Sequence, residues 1–222
     1  MKSILSSLFA LSLLSLSSAH AQCHFPAIFN FGDSNSDTGG LSAAFGQAGP
    51  PHGSSFFGSP AGRYCDGRLV IDFIAESLGL PYLSAFLDSV GSNFSHGANF
   101  ATAGSPIRAL NSTLRQSGFS PFSLDVQFVQ FSNFHNRSPT VRSRGGVYTT
   151  MLPEADSFSQ ALYTLTSDKT ISPLLTSLIK QWNKLEPPMF LRSSASLRML
   201  SHIFTHKEGD TSGFTTQDLS VV

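Results

Sequence analysis

The strongest candidate for chemistry in this 222-residue sequence is a serine in a glycine-containing turn. Ser34 lies two residues after Gly32, which follows the apolar run Phe25–Phe31, a predicted buried strand. Parallel α/β sheets bind ligands at the carboxyl ends of their strands, and backbone amides in such a turn can stabilise an oxyanion. The residue types leave two interpretations open: Ser34 is a nucleophile, or it caps a helix while Asp33 forms the turn.

Strands and helices must position that turn. Two further segments, Ala98–Ala103 and Ala161–Leu165, have the apolar pattern of short strands, whereas residues 124–134 fit either a strand or a helix. A helix capped by Asp66 and closed by Gly79 and Pro81 is predicted from apolar residues at helical spacing: Leu69, Val70, Phe73, Ile74 and Leu78. Strands that alternate with helices predict an α/β fold with a parallel sheet.

The amino terminus has the pattern of a secretory signal peptide, residues 1–21. A basic start at Lys2 precedes the apolar run Ile4–Leu16, and Ala19-His20-Ala21 is a small-x-small cleavage site. The run is too short to cross the roughly 30 Å of a bilayer core as a helix, and no later segment is longer. We therefore expect a secreted, extracellular protein without a transmembrane anchor.

Composition excludes some partners. Charged residues make up 13% of the chain and the formal net charge is zero, so no basic surface for nucleic acid is expected. No motif indicates a metal or a cofactor, and neither is expected. Only Cys23 and Cys65 are present; in an oxidising compartment they could pair, or each could lack its partner.

Three sequons are candidate glycosylation sites of a secreted chain. They begin at Asn93, Asn111 and Asn136. Pro139 follows the last of them directly, which makes Asn136 the weakest acceptor of the three.

Three ordered segments carry a resemblance to a known family. They read FPAIFNFGDSNSDTGG from Phe25, SPAGRYCDGRLVIDFIAESLGLPYL from Ser59 and HGANFATAGSPIR from His96. Together they resemble the plant GDSL esterase/lipase family of the SGNH hydrolases, in its early-nodulin and α-fucosidase-named branch. The resemblance covers about Cys23 to Leu165.

The resemblance implies a three-layer α/β/α sandwich and hydrolysis of carboxylic esters, of small molecules or lipids, through an acyl-enzyme. Ser34 matches the family's nucleophile. The oxyanion would be bound by the Ser34 amide, by a glycine amide of the second motif and by an asparagine side chain of the third. Gly104 is the predicted glycine, with Gly97 as the alternative. The family's general base is a histidine that follows an aspartate by three residues.

The sequence departs from that family after residue 165. Residues 22–165 contain no lysine, whereas 166–222 contain four. The third motif, Gly-x-Asn-Asp, is absent where Thr166–Thr170 follow the last predicted strand, and no Asp-x-x-His occurs. His202 and His206 lie in this tail without the expected aspartate. Four earlier histidines are more typical of loops or packing than of a base: His24, His52, His96 and His135.

A shifted reading frame accounts for both departures. Back-translation of Thr166–Leu174 with one added base allows DIGQNDLTA, and Glu208–Val222 allows GGRYFWIHNTGPIGC, which both resemble the family. The hypothesis is that 22–165 is the amino-terminal part of an incomplete hydrolase domain and 166–222 an out-of-frame tail. Alternative splicing or a gene-model error are rival origins. The chain would then be catalytically incomplete; a non-catalytic secreted binder and a pseudogene product are the alternatives.

Overall fold

The computed structural model describes residues 24–107 and 120–166. The predicted signal peptide, Cys23, Asn111 and the tail beyond Thr166 lie outside these residues.

The described residues contain a parallel sheet of three strands. They are β1 (Ile28–Gly32), β2 (Gly97–Asn99) and β3 (Leu162–Thr166), in the order β2-β1-β3. Both pairs are parallel, which confirms the predicted α/β sheet. Every residue of β1 is buried, as expected of a central apolar strand. All carboxyl ends therefore lie at one edge of the sheet.

Six helices accompany the sheet in the described ranges: α1 (Gly40–Phe45), α2 (Ser54–Phe57), α3 (Val70–Ser77), α4 (Leu124–Arg142), α5 (Tyr148–Met151) and α6 (Ala155–Gln160). The ambiguous segment 124–134 is the start of α4. Ser123 caps it, because its hydroxyl accepts a hydrogen bond from the Val126 amide at 3.4 Å.

Helices cover both faces of the sheet. On one face, Phe29 and Phe31 of β1 pack against aromatic residues of α4 and α6: Phe131, Phe134 and Phe158. Phe29 stacks on Phe158 with ring centroids 5.0 Å apart. On the other face, Ile28 packs with Leu162, Ile71 and Ala75. The alternation of side chains along β1 thus builds the three-layer α/β/α arrangement.

The prediction of Asp66 as a helix cap is wrong. Helix α3 begins at Val70, and the Asp72 carboxylate inside its first turn accepts the Leu69 amide at 2.9 Å. The same carboxylate binds Arg63 through two hydrogen bonds of 2.9 and 2.6 Å. Asp66 instead offers its carbonyl oxygen to the Ser55 amide and hydroxyl. Asp66 lies four residues before the helix begins, too far from its first amides, whereas Asp72 lies within its first turn.

Strand β2 is shorter than the predicted Ala98–Ala103. The ladder ends at Asn99, whose side-chain oxygen accepts the Ala101 amide at 3.0 Å. Backbone hydrogen bonds to β1 nevertheless continue to Thr102, whose amide donates to the Gly32 carbonyl at 3.2 Å. The segment therefore stays beside β1 up to the loop that contains Gly104.

Candidate active site

The turn that carries Ser34 begins where β1 and β3 pack most closely. Gly32 has a φ of +140°, and a Cβ atom there would lie 1.9 Å from the Thr166 carbonyl oxygen. No other residue fits this position. The next amide, of Asp33, donates to the same Thr166 oxygen at 3.1 Å. Ser34 therefore follows the last backbone contact of the sheet by one residue.

Ser34 is exposed, whereas Asp33 before it is buried. The Asp33 carbonyl accepts the Ser36 amide at 3.2 Å, and its carboxylate accepts the Asn35 amide at 3.2 Å. Asp33 thus forms the turn, as one interpretation of the sequence predicted. Neither the hydroxyl nor the amide of Ser34 is hydrogen bonded to another described residue. Ser34 therefore lies exposed at the carboxyl edge of the sheet.

Asp37, not Ser34, caps helix α1. Its Oδ1 accepts the amides of Gly39 and Gly40 at 2.8 and 2.5 Å, and its Oδ2 accepts the Leu41 amide at 3.1 Å. Oδ2 also accepts the Ala103 amide at 2.7 Å, from the loop after β2. The helix-cap interpretation of Ser34 is therefore wrong, since a buried carboxylate occupies these amides.

The two candidate oxyanion glycines lie at opposite edges of the sheet. Gly104 follows β2 at the carboxyl edge with a φ of +77°, and its amide is not hydrogen bonded within the described residues. Gly97 starts β2 at the amino edge, where a Cβ atom would lie 1.8 Å from the Ile28 carbonyl oxygen. Gly97 is needed for close strand packing, whereas Gly104 lies at the edge that carries Ser34.

A buried glutamine links the loops of Ser34 and Gly104. Gln127 of α4 accepts the Gly32 amide at 2.9 Å and donates to the Gly32 carbonyl at 2.8 Å. Its side-chain amide also donates to the Ser105 hydroxyl at 2.9 Å. The sequence analysis missed this residue; its only signal was a polar side chain among the apolar positions of α4.

A row of polar side chains crosses the sheet beneath the turn. Asn30 donates to Asn99 at 2.7 Å and accepts the Thr164 hydroxyl at 2.7 Å, so each strand contributes one residue. Asn99 in turn donates to the Ser36 carbonyl at 2.5 Å. All four residues are buried. Because these groups satisfy one another, the row fixes the far end of the Ser34 turn.

The histidines of the described ranges are not hydrogen bonded to Ser34. His96 lies at the amino edge, where its Nδ1 is 3.0 Å from the Pro26 carbonyl oxygen. His135 packs against Phe158 at 4.7 Å between ring centroids. His52 lies beside the ring of Tyr64, and His24 precedes β1. These positions are those of loop and packing residues; His202 and His206 lie outside the described residues.

Two of the three sequons lie in the described ranges. Asn93 is exposed in a loop, and its side chain accepts the Ser95 amide at 2.9 Å. Asn136 is exposed on α4, but Ser138 of the same sequon is buried and bonded to the Phe134 carbonyl at 2.6 Å. Cys65 donates to the Gly67 carbonyl at 3.3 Å.

Two searches of the described residues were negative. They contain no cluster of three or more histidine, cysteine, aspartate or glutamate side chains able to hold a metal. None of the helices in these ranges has the length and apolar character needed to span a bilayer.

Comparison with known proteins gave three kinds of relative. The chain is 93% identical over 167 residues to alpha-L-fucosidase 3 of Arabidopsis thaliana, covering 74% of this chain and 45% of that protein. It is 69% identical over 147 residues to the GDSL esterase/lipase ACHE of Zea mays, covering 66% and 37%. It is 49% identical over 195 residues to an esterase of Hevea brasiliensis, covering 86% and 50%.

The chain thus spans half or less of the length of these relatives. No solved structure matches it significantly. The family model described as GDSL-like lipase/acylhydrolase matches residues 28–196, a range that contains the Ser34 turn and runs past Leu165. The chain belongs to the GDSL-like lipase/acylhydrolase family, as the three segments from Phe25, Ser59 and His96 predicted.

Proposed function

We propose that this chain carries the nucleophile and part of the oxyanion hole of a secreted carboxylic-ester hydrolase. Ser34 Oγ attacks the ester carbonyl, and the negative charge on the carbonyl oxygen is stabilised by the amides of Ser34 and Gly104. The C–O bond of the ester then breaks, the alcohol leaves with a proton, and water hydrolyses the acyl-serine. One observation carries the proposal: an exposed serine and the unbonded amide of Gly104 lie in loops that leave one sheet edge and that Asp37 joins.

The proton of Ser34 needs an acceptor. A serine hydroxyl is a weak nucleophile without a general base, and no described histidine is bonded to it. Strand β3 ends at Thr166, whose carbonyl oxygen accepts the Asp33 amide of the turn, and the sequence continues with Ser167–Thr170. The sequence there lacks the asparagine of the family's third motif. We therefore take this chain to be catalytically incomplete, with residues 166–222 read out of frame.

Glycoside cleavage is not favoured by the described residues, although one relative is named a fucosidase. Most glycoside hydrolases place two accessible carboxylates on opposite sides of the scissile bond. The acids next to Ser34 are Asp33 and Asp37, and both are buried. Asp37 accepts four backbone amides and has no oxygen left for a substrate. Ester hydrolysis through Ser34 fits this geometry better.

The proposed function is tested with p-nitrophenyl esters and a fluorophosphonate probe of reactive serines. The 222-residue chain should hydrolyse the esters hardly above background, because loss of the base costs about 10⁶-fold in comparable enzymes. The missing asparagine is an oxyanion donor, typically worth about 10²–10³-fold; the two losses need not multiply. Restoring one base before the Thr166 codon, in a gene that continues past the stop, should produce activity that Ser34→Ala abolishes.

Two results would count against this proposal. If the frame-restored chain is inactive, the proposed ester-hydrolase function is wrong. Strong Ser34-dependent hydrolysis by the 222-residue chain would show that its own tail supplies the base, with His202 and His206 the first residues to replace. Resequencing the transcript across the Leu165 codon tests the frame independently.

Export is tested separately from catalysis. The exported protein should begin at Gln22, and N-terminal sequencing that finds Met1 would contradict the signal peptide. Glycans are proposed at Asn93 and Asn111. Asn136 is the weakest acceptor, because Ser138 of its sequon is buried in α4. Unchanged gel mobility after glycosidase treatment would contradict glycosylation.

A further inference from the structure

We infer that Asp37 and Gln127 are positioning residues that set the Gly104 amide relative to the Ser34 hydroxyl. The inference rests on the proposed function, since it treats these two groups as oxyanion donor and nucleophile. It concerns different residues, however. Neither Asp37 nor Gln127 needs to touch a substrate, and both are buried with exposed fractions of 1% and 0%.

The sheet alone does not fix this geometry. Backbone pairing between β1 and β2 ends at Asn99, and Thr102 makes the last backbone hydrogen bond to β1. The chain then turns, with the Ser105 amide bonded to the Thr102 carbonyl at 3.1 Å. Gly104 lies inside this turn, beyond the ladder. The Ser120 amide donates to the Gly104 carbonyl at 3.0 Å, but within the described residues no backbone hydrogen bond joins the Gly104 loop to the turn of Ser34. Side chains make that link.

Asp37 holds the residue before Gly104. Its Oδ2 accepts the Ala103 amide at 2.7 Å, although the two residues are 66 positions apart. Asp37 lies three residues after Ser34, and its other contacts fix the start of α1. One carboxylate thus joins the chain that follows Ser34 to the chain that enters Gly104.

Gln127 holds the residue after Gly104. Its side-chain amide donates to the Ser105 hydroxyl at 2.9 Å and makes paired hydrogen bonds with the Gly32 backbone. Gly32 lies two residues before Ser34. Gly104 is therefore held through its neighbours Ala103 and Ser105. Asp37 links them to the chain three residues after Ser34, and Gln127 links them to Gly32, two residues before it. A displacement of about 1 Å between such groups can cost about 10²-fold in rate.

A merely structural role predicts a different outcome from positioning. Loss of a structural contact lowers global stability, and amide exchange then rises throughout the protein. Loss of a positioning contact opens the loop locally, so exchange rises there before it rises in the core. Hydrogen exchange of single amides in the 222-residue chain separates the two roles without requiring catalysis.

The variants for this test are Asp37→Ser, which keeps a short cap for α1, and Gln127→Met, which keeps the side-chain length. We expect exchange at residues 103–105 to rise at least about tenfold more than at the core amide of Phe29. The matched control is Asp72→Asn, another buried carboxylate that accepts a backbone amide. Because it also breaks the buried ion pair with Arg63, it should raise exchange most near Leu69, and any rise at 103–105 should be no larger than the rise at Phe29.

Two results would overturn the inference: unchanged exchange at 103–105, or a uniform rise in both variants. If Asp37→Ser does not fold, Asp37→Asn takes its place, since its single acceptor oxygen keeps half of the contacts.

Kinetics supply the second readout. In a chain with Ser34-dependent hydrolysis, Asp37→Ser and Gln127→Met should lower kcat about 10- to 100-fold at constant KM. Asp37→Asn should recover part of kcat, and Asp72→Asn should not change it.

Failure of the inference can be told from failure of the proposed function. A local rise of amide exchange at 103–105 in the variants, without ester hydrolysis by the frame-restored chain, would support the positioning contacts and contradict the proposed hydrolase function. Ester hydrolysis that both variants leave unchanged would do the reverse.

Discussion

Two regions of the molecule are each organised by a buried carboxylate, and the two carboxylates are stabilised differently. Asp37 accepts four backbone amides, whereas Asp72 accepts one backbone amide and the guanidinium of Arg63. The side chains of Arg63 and Asp72 are 7% and 0% exposed. Within the described residues, the contacts of the Asp37 carboxylate are backbone amides alone. At α3, the guanidinium cation of Arg63 stabilises the charge of Asp72.

The difference lies in what each carboxylate joins. The amides that Asp37 accepts belong to the segments that it joins, the start of α1 and the loop after β2, so this link needs no cation. Arg63 instead stacks on the ring of Phe57 in α2, with its Cζ 4.5 Å from the ring centroid. Because it also binds Asp72, it connects α3 to α2.

The largest effect is expected from Arg63→Met. It removes the cation but leaves the Asp72 carboxylate buried, and such a break typically costs about 3–5 kcal/mol of unfolding free energy. Urea denaturation of the 222-residue chain measures it. The double variant Arg63→Met with Asp72→Leu should recover much of the loss, since no buried charge remains. A double variant less stable than Arg63→Met would show that Asp72 stabilises the fold without Arg63, through its bond to the Leu69 amide.

A smaller loss is expected from Asp37→Ala. This change removes the charge together with its acceptors and leaves amides, including that of Ala103, without partners. An unsatisfied buried group costs about 1–3 kcal/mol, and the amides of α1 regain water at least in part. Urea denaturation should therefore place Asp37→Ala between the parent chain and Arg63→Met. A loss larger than that of Arg63→Met would mean that four dipoles hold a charge better than a cation does.

The same contrast explains what the sequence could predict. The Ser34 turn could be predicted because its signals are local: an apolar strand, a glycine and turn residues within ten positions. The role of Ser34 as nucleophile came from the family resemblance and stays a prediction. The contacts of Asp37 with Ala103 and of Gln127 with Gly32 join residues 66 and 95 positions apart, so no local spacing encodes them. The partner of a buried polar group is set by the packed fold, which is also why the sequence did not indicate the contact of Asp72 with Arg63.

The fold was predicted best where one periodicity dominates. Strand β1 is buried throughout and apolar except for Asn30, and β3 differs by one residue at each end from Ala161–Leu165. Helix α4 stayed ambiguous, because Leu124, Val126 and Phe128 alternate while Phe128, Phe131 and Phe134 have helical spacing. Packing decides between them: Phe131 and Phe134 share one buried face with Phe29 of β1. The buried helical face therefore decided the structure of this segment, and the alternation of apolar residues over 124–128 did not.

The smallest effect is expected from Glu154→Gln, at an ion pair on the surface. Arg142 and Glu154 are 2.9 Å apart, but their side chains are 24% and 73% exposed. Water and salt screen the pair, and the Arg142 guanidinium keeps its hydrogen bonds to the carbonyls of Thr149 and Leu152 when Glu154 is neutral. Urea denaturation should show a loss of about 0–1 kcal/mol that disappears in 1 M salt, where the Debye length is about 3 Å. A loss near that of Arg63→Met would mean that burial is not what separates the two ion pairs, and would undo the comparison with Asp72.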